Sequence, residues 1–428
     1  MTARGAEVVI DKLIPEGKAL GRLADGRVVI ATGAVPGDRI ALEVVSESKG
    51  LVTARSHRLV APSPLRVAPA CGLAEQCGGC DWMLLSIAEQ RHQKLHILRE
   101  ALLRTGKIDW GARPLELVAG ELGEGYRCRV RLQVGEGRIG FHQRGSHELV
   151  EPEQCIVSSP ALNAALARLR ELARRHPLAL GAYAWLEVRE ASDGSVSVLL
   201  QRHEPPSDVD ERPWLQALSG SFHVAHVGTP ARATQRFQLT DDTYMLSAPQ
   251  GFVQVNWEVN RLLVARVLGG AARRGVATFL DAYAGSGNFA LPLLRQGLAG
   301  IAVESNASAI ASAREAAAAQ GFDPDAFVSA DAVAHARWLG RRGERFDLVL
   351  VDPPRAGLKE GLAPLARLAA RWLALCSCNP VTLARDLRSL IDLGFELDAL
   401  EAFDMFPQTH HLEVLAWLRA PAAGAGPG

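Results

Sequence analysis

Apolar and polar positions along this chain change period several times, and each change predicts a different kind of structure. Over residues 1–60, short apolar runs alternate with turn signals at Gly17, Gly21, Asp25-Gly26, Pro36-Gly37-Asp38 and Lys49-Gly50. Between them, 28–30 and 40–45 read as strands. That pattern predicts a small β-barrel of the oligonucleotide-binding kind, with any other small β-domain an equal alternative. Residues 61–69, APSPLRVAP, read as a linker. A helical period follows: Ser86-Ile-Ala-Glu89 has capping-box spacing, and Leu95, Leu98 and Leu102 mark one face. From 115 to 245 the pattern is β-rich and irregular, with strands expected over 126–134, 182–189 and 195–200 and a polar loop at 204–212. From about 250 onward, strands alternate with helices, the pattern of a doubly wound α/β domain. The tail 421–428, PAAGAGPG, is expected to be disordered.

Composition narrows the class. With 428 residues, 48% hydrophobic and 22% charged, the chain suits a soluble globular protein of two or three domains. No apolar run approaches the ~20 residues of a membrane-spanning helix. The start MTARGAEVVIDKL has no signal-peptide core, so a cytoplasmic protein is expected. Lys+Arg and Asp+Glu are equal at 47 each, which argues mildly against a nonspecific nucleic-acid binder but allows a local basic face. Nearly all the positive charge is Arg, which suits bidentate phosphate contacts. Seven cysteines without an export signal point to thiols, metal ligands or catalytic groups rather than disulfides.

Four strand ends and one strand start then carry candidate chemistry. Residues 277–290, ATFLDAYAGSGNFA, run from an apolar strand through Asp281 and Gly285-Ser-Gly287 into a helix, and Glu304 ends the next strand, where a carboxylate accepts from ribose hydroxyls. The glycines also satisfy a dinucleotide fingerprint. An acid four residues before them disfavours a pyrophosphate and suits an ammonium group, which favours S-adenosylmethionine over NAD. Residues 346–355, FDLVLVDPPR, deliver Asp352 to a strand end, where Pro353-Pro354 break the strand. Residues 375–386, LCSCNPVTLARD, place Cys378 between a strand and a helix capped by Asn379 and Pro380. The helix N-terminus is expected to lower the Cys378 thiol pKa and make it a nucleophile. Cys376, inside the strand, reads as a small buried hydrophobe, and a chelating Cys-x-Cys pair is the runner-up. In 406–417, FPQTHHLEVLAW, the acid Glu413 opens an apolar strand and is a plausible general base. His410 and His411 read as structural, with no acidic partner at ligand spacing.

Residues 70–82, ACGLAEQCGGCDW, put Cys71, Cys77 and Cys80 close together, and Cys155 stands apart in EPEQCIV. Four thiolates hold zinc or an iron–sulfur cluster, and three close cysteines with a remote fourth suit a cluster better than zinc knuckles. Cys128 is the weaker competitor for the fourth place. Arg127, Arg129, Arg131 and Arg144 form either a phosphate-holding surface or a solvated strand face.

Taken together, these motifs resemble the bacterial RNA uracil-5 methyltransferases. The resemblance rests on Cys71, Cys77, Cys80 and Cys155, on Gln254 and Asn256 in GFVQVN, and on DAYAGSGNF, DPPRAG, SCNPVTLARD and HHLE, in the family's order from 71 to 413. It implies an α/β fold: a Rossmann-like class I methyltransferase domain (246–420), an N-terminal OB-like TRAM β-barrel that binds RNA (1–60) and a β-rich central iron–sulfur domain (61–245). The helix at 86–105 is allowed to pack on the catalytic domain. The resemblance further implies S-adenosylmethionine contacts at Gln254, Tyr283, Asn288, Glu304, Asp331 and Asp352, and catalysis by Cys378 as nucleophile and Glu413 as base. It also implies a [4Fe-4S] cluster on the four cysteines. The implied substrate is a uridine in RNA, 23S rRNA first and transfer RNA as the alternative, and the chain is expected to be a monomer without a membrane partner. An NAD-dependent iron–sulfur oxidoreductase uses the same loop and cysteines but leaves Cys378 and Glu413 without a role. A noncatalytic RNA-binding module needs no poised thiol. Cytosine-5 methylation calls for a Pro-Cys motif that DPPR lacks.

Overall fold

A computed structural model of the chain describes residues 6–121, 123–205, 208–229 and 235–422. Strands Glu7–Ile14, Lys18–Arg22, Val28–Thr32, Arg39–Ser48 and Leu51–Ala61 close into a five-stranded barrel. Alternation does this work: Val8, Ile10, Val29, Ala31, Ile40, Leu42, Val52 and Ala54 face inward into one core. The buried Asp38 carboxylate accepts from the backbone N–H of Ser63 at 2.9 Å and from Arg66 at 2.6 Å, fastening the linker to the barrel.

The central sheet orders His223–His226, Val196–Arg202, Tyr183–Glu190, Arg129–Gly135, Arg138–His142 and Leu149–Val150 from edge to edge. Helices Pro160–Arg175 and Arg212–Ser219 pack on it around Leu162, Leu166, Leu169, Leu172, Trp214 and Leu218. Neither helix belongs to the β-rich expectation. The first carries a legible signature all the same: Ser159 accepts from the Leu162 N–H, Pro160 takes the first turn, and the leucines share one face. The expected polar loop at 204–212 ends in the second helix, and its residues 206–207 lie outside the described residues, as do residues 423–428 of the tail.

The largest sheet has eight strands in the order Phe327–Ser329, Ala299–Glu304, Thr278–Ala282, Phe346–Val351, Ala369–Ser377, Glu413–Arg419, Glu396–Phe403 and Glu116–Val118. Seven run parallel, and Glu413–Arg419 alone is reversed. The three-way division at 61 and 245 therefore needs correction. Glu116–Val118 covers the edge of this sheet, which an unpaired strand would otherwise leave open. The hairpin of Gln235–Gln238 and Tyr244–Ser247 contributes Phe237 and Met245 to the core of the same sheet. Helix Ile87–Arg104 buries Leu98, Ala101 and Leu102 in the core on the sheet's other face. Ser86 accepts from the Glu89 N–H at 3.2 Å, but the Glu89 carboxylate turns to Gln93 instead of closing the capping box. Lys94 of this helix, fully buried, reaches Asp404 at 2.6 Å and the Phe406 carbonyl at 3.0 Å. Among the described residues no helix is long and apolar enough to cross a membrane.

Candidate active site

A parallel sheet brings its strand carboxyl ends to one edge, and ligands bind where the chain order reverses. Here the reversal is at Thr278–Ala282, which has Ala299–Glu304 on one side and Phe346–Val351 on the other. Asp281, Tyr283, Glu304, Asp331, Asp352 and Cys378 all stand at that edge, at or just beyond their strands. Because Glu413–Arg419 runs the other way, its first residue arrives there too: Phe403 pairs with Glu413 and Ser377 with Val414. Reversal of one strand thus brings Glu413 beside Cys378.

Cys378 sits half-buried between Ser377 and Asn379, whose side chain caps the next helix by accepting from Val381 at 2.9 Å and Thr382 at 3.2 Å. The Arg355 guanidinium lies near enough to the thiol to favour its thiolate. Glu413 is 4% exposed, and its Oε1 has no hydrogen-bond partner among the described residues. Burial, reinforced by the charge of Asp352 and opposed by Arg355, holds the Glu413 carboxyl well above the usual carboxylate range. Burial also pushes Asp352 up to about 6. The expected lowering of the Cys378 pKa is not what the site produces. Burial first, and then the Glu413 carboxylate, push the thiol up to about 11, with Arg355 opposing. A helix N-terminus carries a partial charge only, and desolvation plus two nearby carboxylates outweigh it. Cys376 is fully buried opposite Leu415 inside the sheet, away from the open edge.

The glycine loop shapes the crevice beside this cluster. Gly287 adopts φ +91°, and a Cβ there would lie 3.0 Å from Leu291 and 3.1 Å from Phe327, so only glycine lets the turn pack this closely. The Gly285 N–H donates to Glu304 at 3.2 Å, and the Asn306 N–H donates to the other Glu304 oxygen at 2.8 Å, which fixes this carboxylate at the rim. Asp331 and Glu304 lie close enough to Tyr283 to raise its phenol, after burial. Asp331 is exposed and caps helix Ala332–Arg341 through the Ala334 N–H at 2.8 Å. Asn288 exchanges two hydrogen bonds with Asn260, at 2.8 and 3.1 Å. Gln254 is half-buried, and its carbonyl accepts from the Cys128 thiol at 3.2 Å. Asp281 is wholly buried with neither oxygen paired among the described residues, and burial with the charge of Asp352 holds it well above the usual range. A buried carboxyl left unpaired at a strand's carboxyl end is a candidate functional group.

Cys71, Cys77, Cys80 and Cys155 line one cavity, walled by apolar groups such as Leu73, Met83 and Val157. All seven cysteines are free thiols, and Cys128 is committed elsewhere, to Gln254. The Gly79 N–H donates to Cys77 Sγ at 3.4 Å, and Arg144 holds the carbonyls of Ala74, Cys77 and Cys80 at 3.3, 3.4 and 2.7 Å. Burial pushes Cys80 up to about 12, with Arg127 opposing. Among the described residues no group of three or more His, Cys, Asp or Glu is set to hold a single ion. The four arginines do not form one surface. Arg144 and Arg127 turn toward the cysteine loop, while Arg129 and Arg131 share Glu187 at 3.6 and 3.1 Å and stack on Phe252 and Trp185.

Sequence reasoning gave no role to Arg355, although it stands directly after the DPP turn. Its Nη2 lies 3.4 Å from both ring nitrogens of His411. Burial, with His410 and Arg355 nearby, pushes His411 down to about 3, so this ring is neutral. His410 does have an acidic partner, Asp81, at 2.5 Å. A separation of 329 positions hides it from any spacing rule.

Residues 233–420 match the family described as tRNA (Uracil-5-)-methyltransferase. The chain is 35% identical to the 23S rRNA (uracil(1939)-C(5))-methyltransferase RlmD of Pseudomonas fluorescens, over 96% of this chain and 94% of that protein. It is 33% identical to the protein of the same name from Aeromonas salmonicida, over 96% and 95%. Among solved structures, the Pyrococcus abyssi tRNA (uracil-54, C5)-methyltransferase in complex with S-adenosyl-L-homocysteine superposes with a TM-score of 0.73 at 26% identity, covering 96% of this chain and 99% of that one.

Proposed function

The chain belongs to the 23S rRNA uracil-5 methyltransferase family, and we propose that it transfers a methyl group from S-adenosylmethionine to carbon 5 of a specific uridine in 23S rRNA through a covalent Cys378–uracil adduct. The observation that carries this reading is the meeting of Cys378, Arg355 and Glu413 at one sheet edge beside the glycine loop. Carbon 5 of uracil is a poor nucleophile. Addition of the Cys378 thiolate to carbon 6 breaks the 5,6 double bond and leaves an enolate, which makes carbon 5 nucleophilic. Carbon 5 then takes the methyl group, and S-adenosylhomocysteine leaves as a neutral thioether. Glu413 removes the carbon-5 proton, the double bond re-forms, and Cys378 departs as thiolate. The base has to leave its stack to reach this edge.

The methyl donor lies against Gln254, Tyr283, Asn288, Glu304, Asp331 and Asp352, with the unpaired Asp281 beneath them to meet its positive charge. The barrel serves as a TRAM-type RNA-binding module. Cys71, Cys77, Cys80 and Cys155, which line one cavity, would hold a [4Fe-4S] cluster as a structural tie between the 71–80 loop and Cys155, and none of the steps above involves it. Anaerobically purified protein is accordingly expected to be brown and to carry iron with visible absorbance; a colourless protein loaded with zinc would refute this assignment. The enzyme acts as a cytoplasmic monomer.

Methyl transfer from labelled S-adenosylmethionine to unmodified 23S rRNA and unmodified transfer RNA, followed by digestion to nucleosides, tests the reading. Label in 5-methyluridine from 23S rRNA is expected. Label from transfer RNA alone would move the substrate to the class of the archaeal neighbour, and label in neither RNA would overturn the function. The 35% identity to the ribosomal enzyme, over nearly the full chain, favours 23S rRNA over the transfer-RNA alternative that the 26% neighbour represents.

A further inference from the structure

Barrel, cysteine loop and catalytic sheet meet at a side-chain pair that the reaction above leaves without a role. Asp81 follows Cys80 directly. Its Oδ1 accepts from the backbone N–H of His410 at 3.1 Å, and its Oδ2 lies 2.5 Å from His410 Nδ1. Gly17, in the turn between the first two barrel strands, packs on the same pair: a Cβ there would collide with Asp81 Oδ2 and lie 2.8 Å from His410 Nδ1. The loop that contains His410 is gripped from the same side. The Trp82 N–H donates to the Gln408 carbonyl at 3.1 Å, Gln90 and Gln408 exchange bonds at 3.0 and 2.8 Å, and the Tyr126 hydroxyl donates to the Pro407 carbonyl at 3.0 Å. Beyond His410 the chain passes through His411, whose ring centroid is 4.0 Å from that of His410 and whose nitrogens face Arg355, and then reaches Glu413. One acidic side chain thus holds both the backbone and the ring of a residue three positions before the base.

We propose that Asp81 is a positioning residue for methyl transfer: by gripping His410 it sets the loop that aims Glu413 at the carbon-5 proton, with Gly17 of the barrel as the opposing jaw. The proposal rests on the reading of Glu413 as base. It makes proton abstraction, the last step, depend on correct seating of both the barrel and the cysteine loop, whereas Asp81 and Gly17 contact His410 and not Cys378.

The test uses the full-length protein with Asp81→Ala, Asp81→Asn and Gly17→Ala, and with Glu413→Gln in parallel. Iron content, S-adenosylmethionine affinity, turnover at saturating RNA and covalent adduct on denaturing gels are measured for each. Asp81→Ala is expected to keep its iron and its donor affinity, to lose about 10–100-fold in turnover, the scale of a misplaced catalytic group, and to accumulate adduct. Asp81→Asn still accepts from the His410 N–H and should recover most of the rate. Gly17→Ala changes no residue of the cysteine loop and acts from the barrel side of the pair; it should reproduce the adduct with the iron intact, which keeps the proposal open to test if Asp81→Ala folds badly. Wild-type turnover in both, or loss of turnover without adduct in Gly17→Ala, overturns the proposal. If Glu413→Gln itself traps no adduct, the reading of the base falls, and this inference with it; if it traps adduct and the Asp81 and Gly17 variants do not, only the inference falls.

Discussion

Replacing Cys378 with alanine is expected to abolish methyl transfer, by about four orders of magnitude or more as for other covalent nucleophiles, while S-adenosylmethionine still binds with near wild-type affinity. The two effects separate because different strand ends supply them. The residues proposed to hold the donor stand mainly at the ends of Thr278–Ala282, Ala299–Glu304 and Phe346–Val351, and the thiol follows the end of Ala369–Ser377. Cys376 offers no substitute, since it is fully buried within the sheet. The thiol's pKa of about 11 adds a pH signature. The thiolate is the reactive form, so alkylation of Cys378 by an uncharged reagent should rise with pH across the neutral and alkaline range in the free enzyme. In the proposed reading the donor's sulfonium charge approaches Asp352 and Glu413, whose charges add to burial in holding the thiol up, and donor binding should move this profile to lower pH. Radiolabel transfer, donor titration and alkylation rate measure the three parts, and an active alanine variant would refute the covalent mechanism.

The same thiol shows how far local reading reaches. Its place between a strand and a capped helix follows from Cys378-Asn379-Pro380, because capping chemistry is local. Its electrostatics do not, because burial and the charges of Glu413 and Asp352 come from other strands. Alternation within residues 1–60 offered a barrel as one of two equal readings, and the fold has the barrel; the cysteine spacing predicted a joint metal or cluster site, and the four thiols line one cavity. Helix Pro160–Arg175 had its cap and its leucine face in plain view, yet it sat between short strands whose pattern dominated. Strand Glu116–Val118 is three residues long and is defined only by the edge it covers. Asp81 and His410 are ordinary residues in isolation, and only the fold turns them into a pair. What sequence left illegible is contact between distant segments, and the electrostatic balance at the site depends on those contacts.

Replacing Glu413 with glutamine should have the second large effect, and it should leave a different trace. Glutamine keeps the shape of the side chain at the start of the reversed strand but accepts no proton from carbon, so turnover should fall by about 10²–10⁴-fold. Addition of Cys378 to carbon 6 and methylation of carbon 5 need no base at this position. The methylated adduct therefore forms and cannot eliminate, since the carbon–sulfur bond breaks only as the carbon-5 proton leaves. A protein–RNA band that survives denaturation is expected, absent from a Cys378→Ala/Glu413→Gln double variant. Burial raises the Glu413 pKa, so the free enzyme holds this carboxyl protonated to higher pH than an exposed one, and wild-type turnover should increase as pH rises through its ionisation. The donor's positive charge works in the same direction as Arg355, favouring the carboxylate once the site is loaded. No band at all would remove Glu413 from the role of base. Label from the methyl donor in the trapped band places the block after methyl transfer, where proton abstraction belongs. An unlabelled band would place it earlier and recast Glu413 as a group that governs carbon-5 attack rather than the release of the nucleophile.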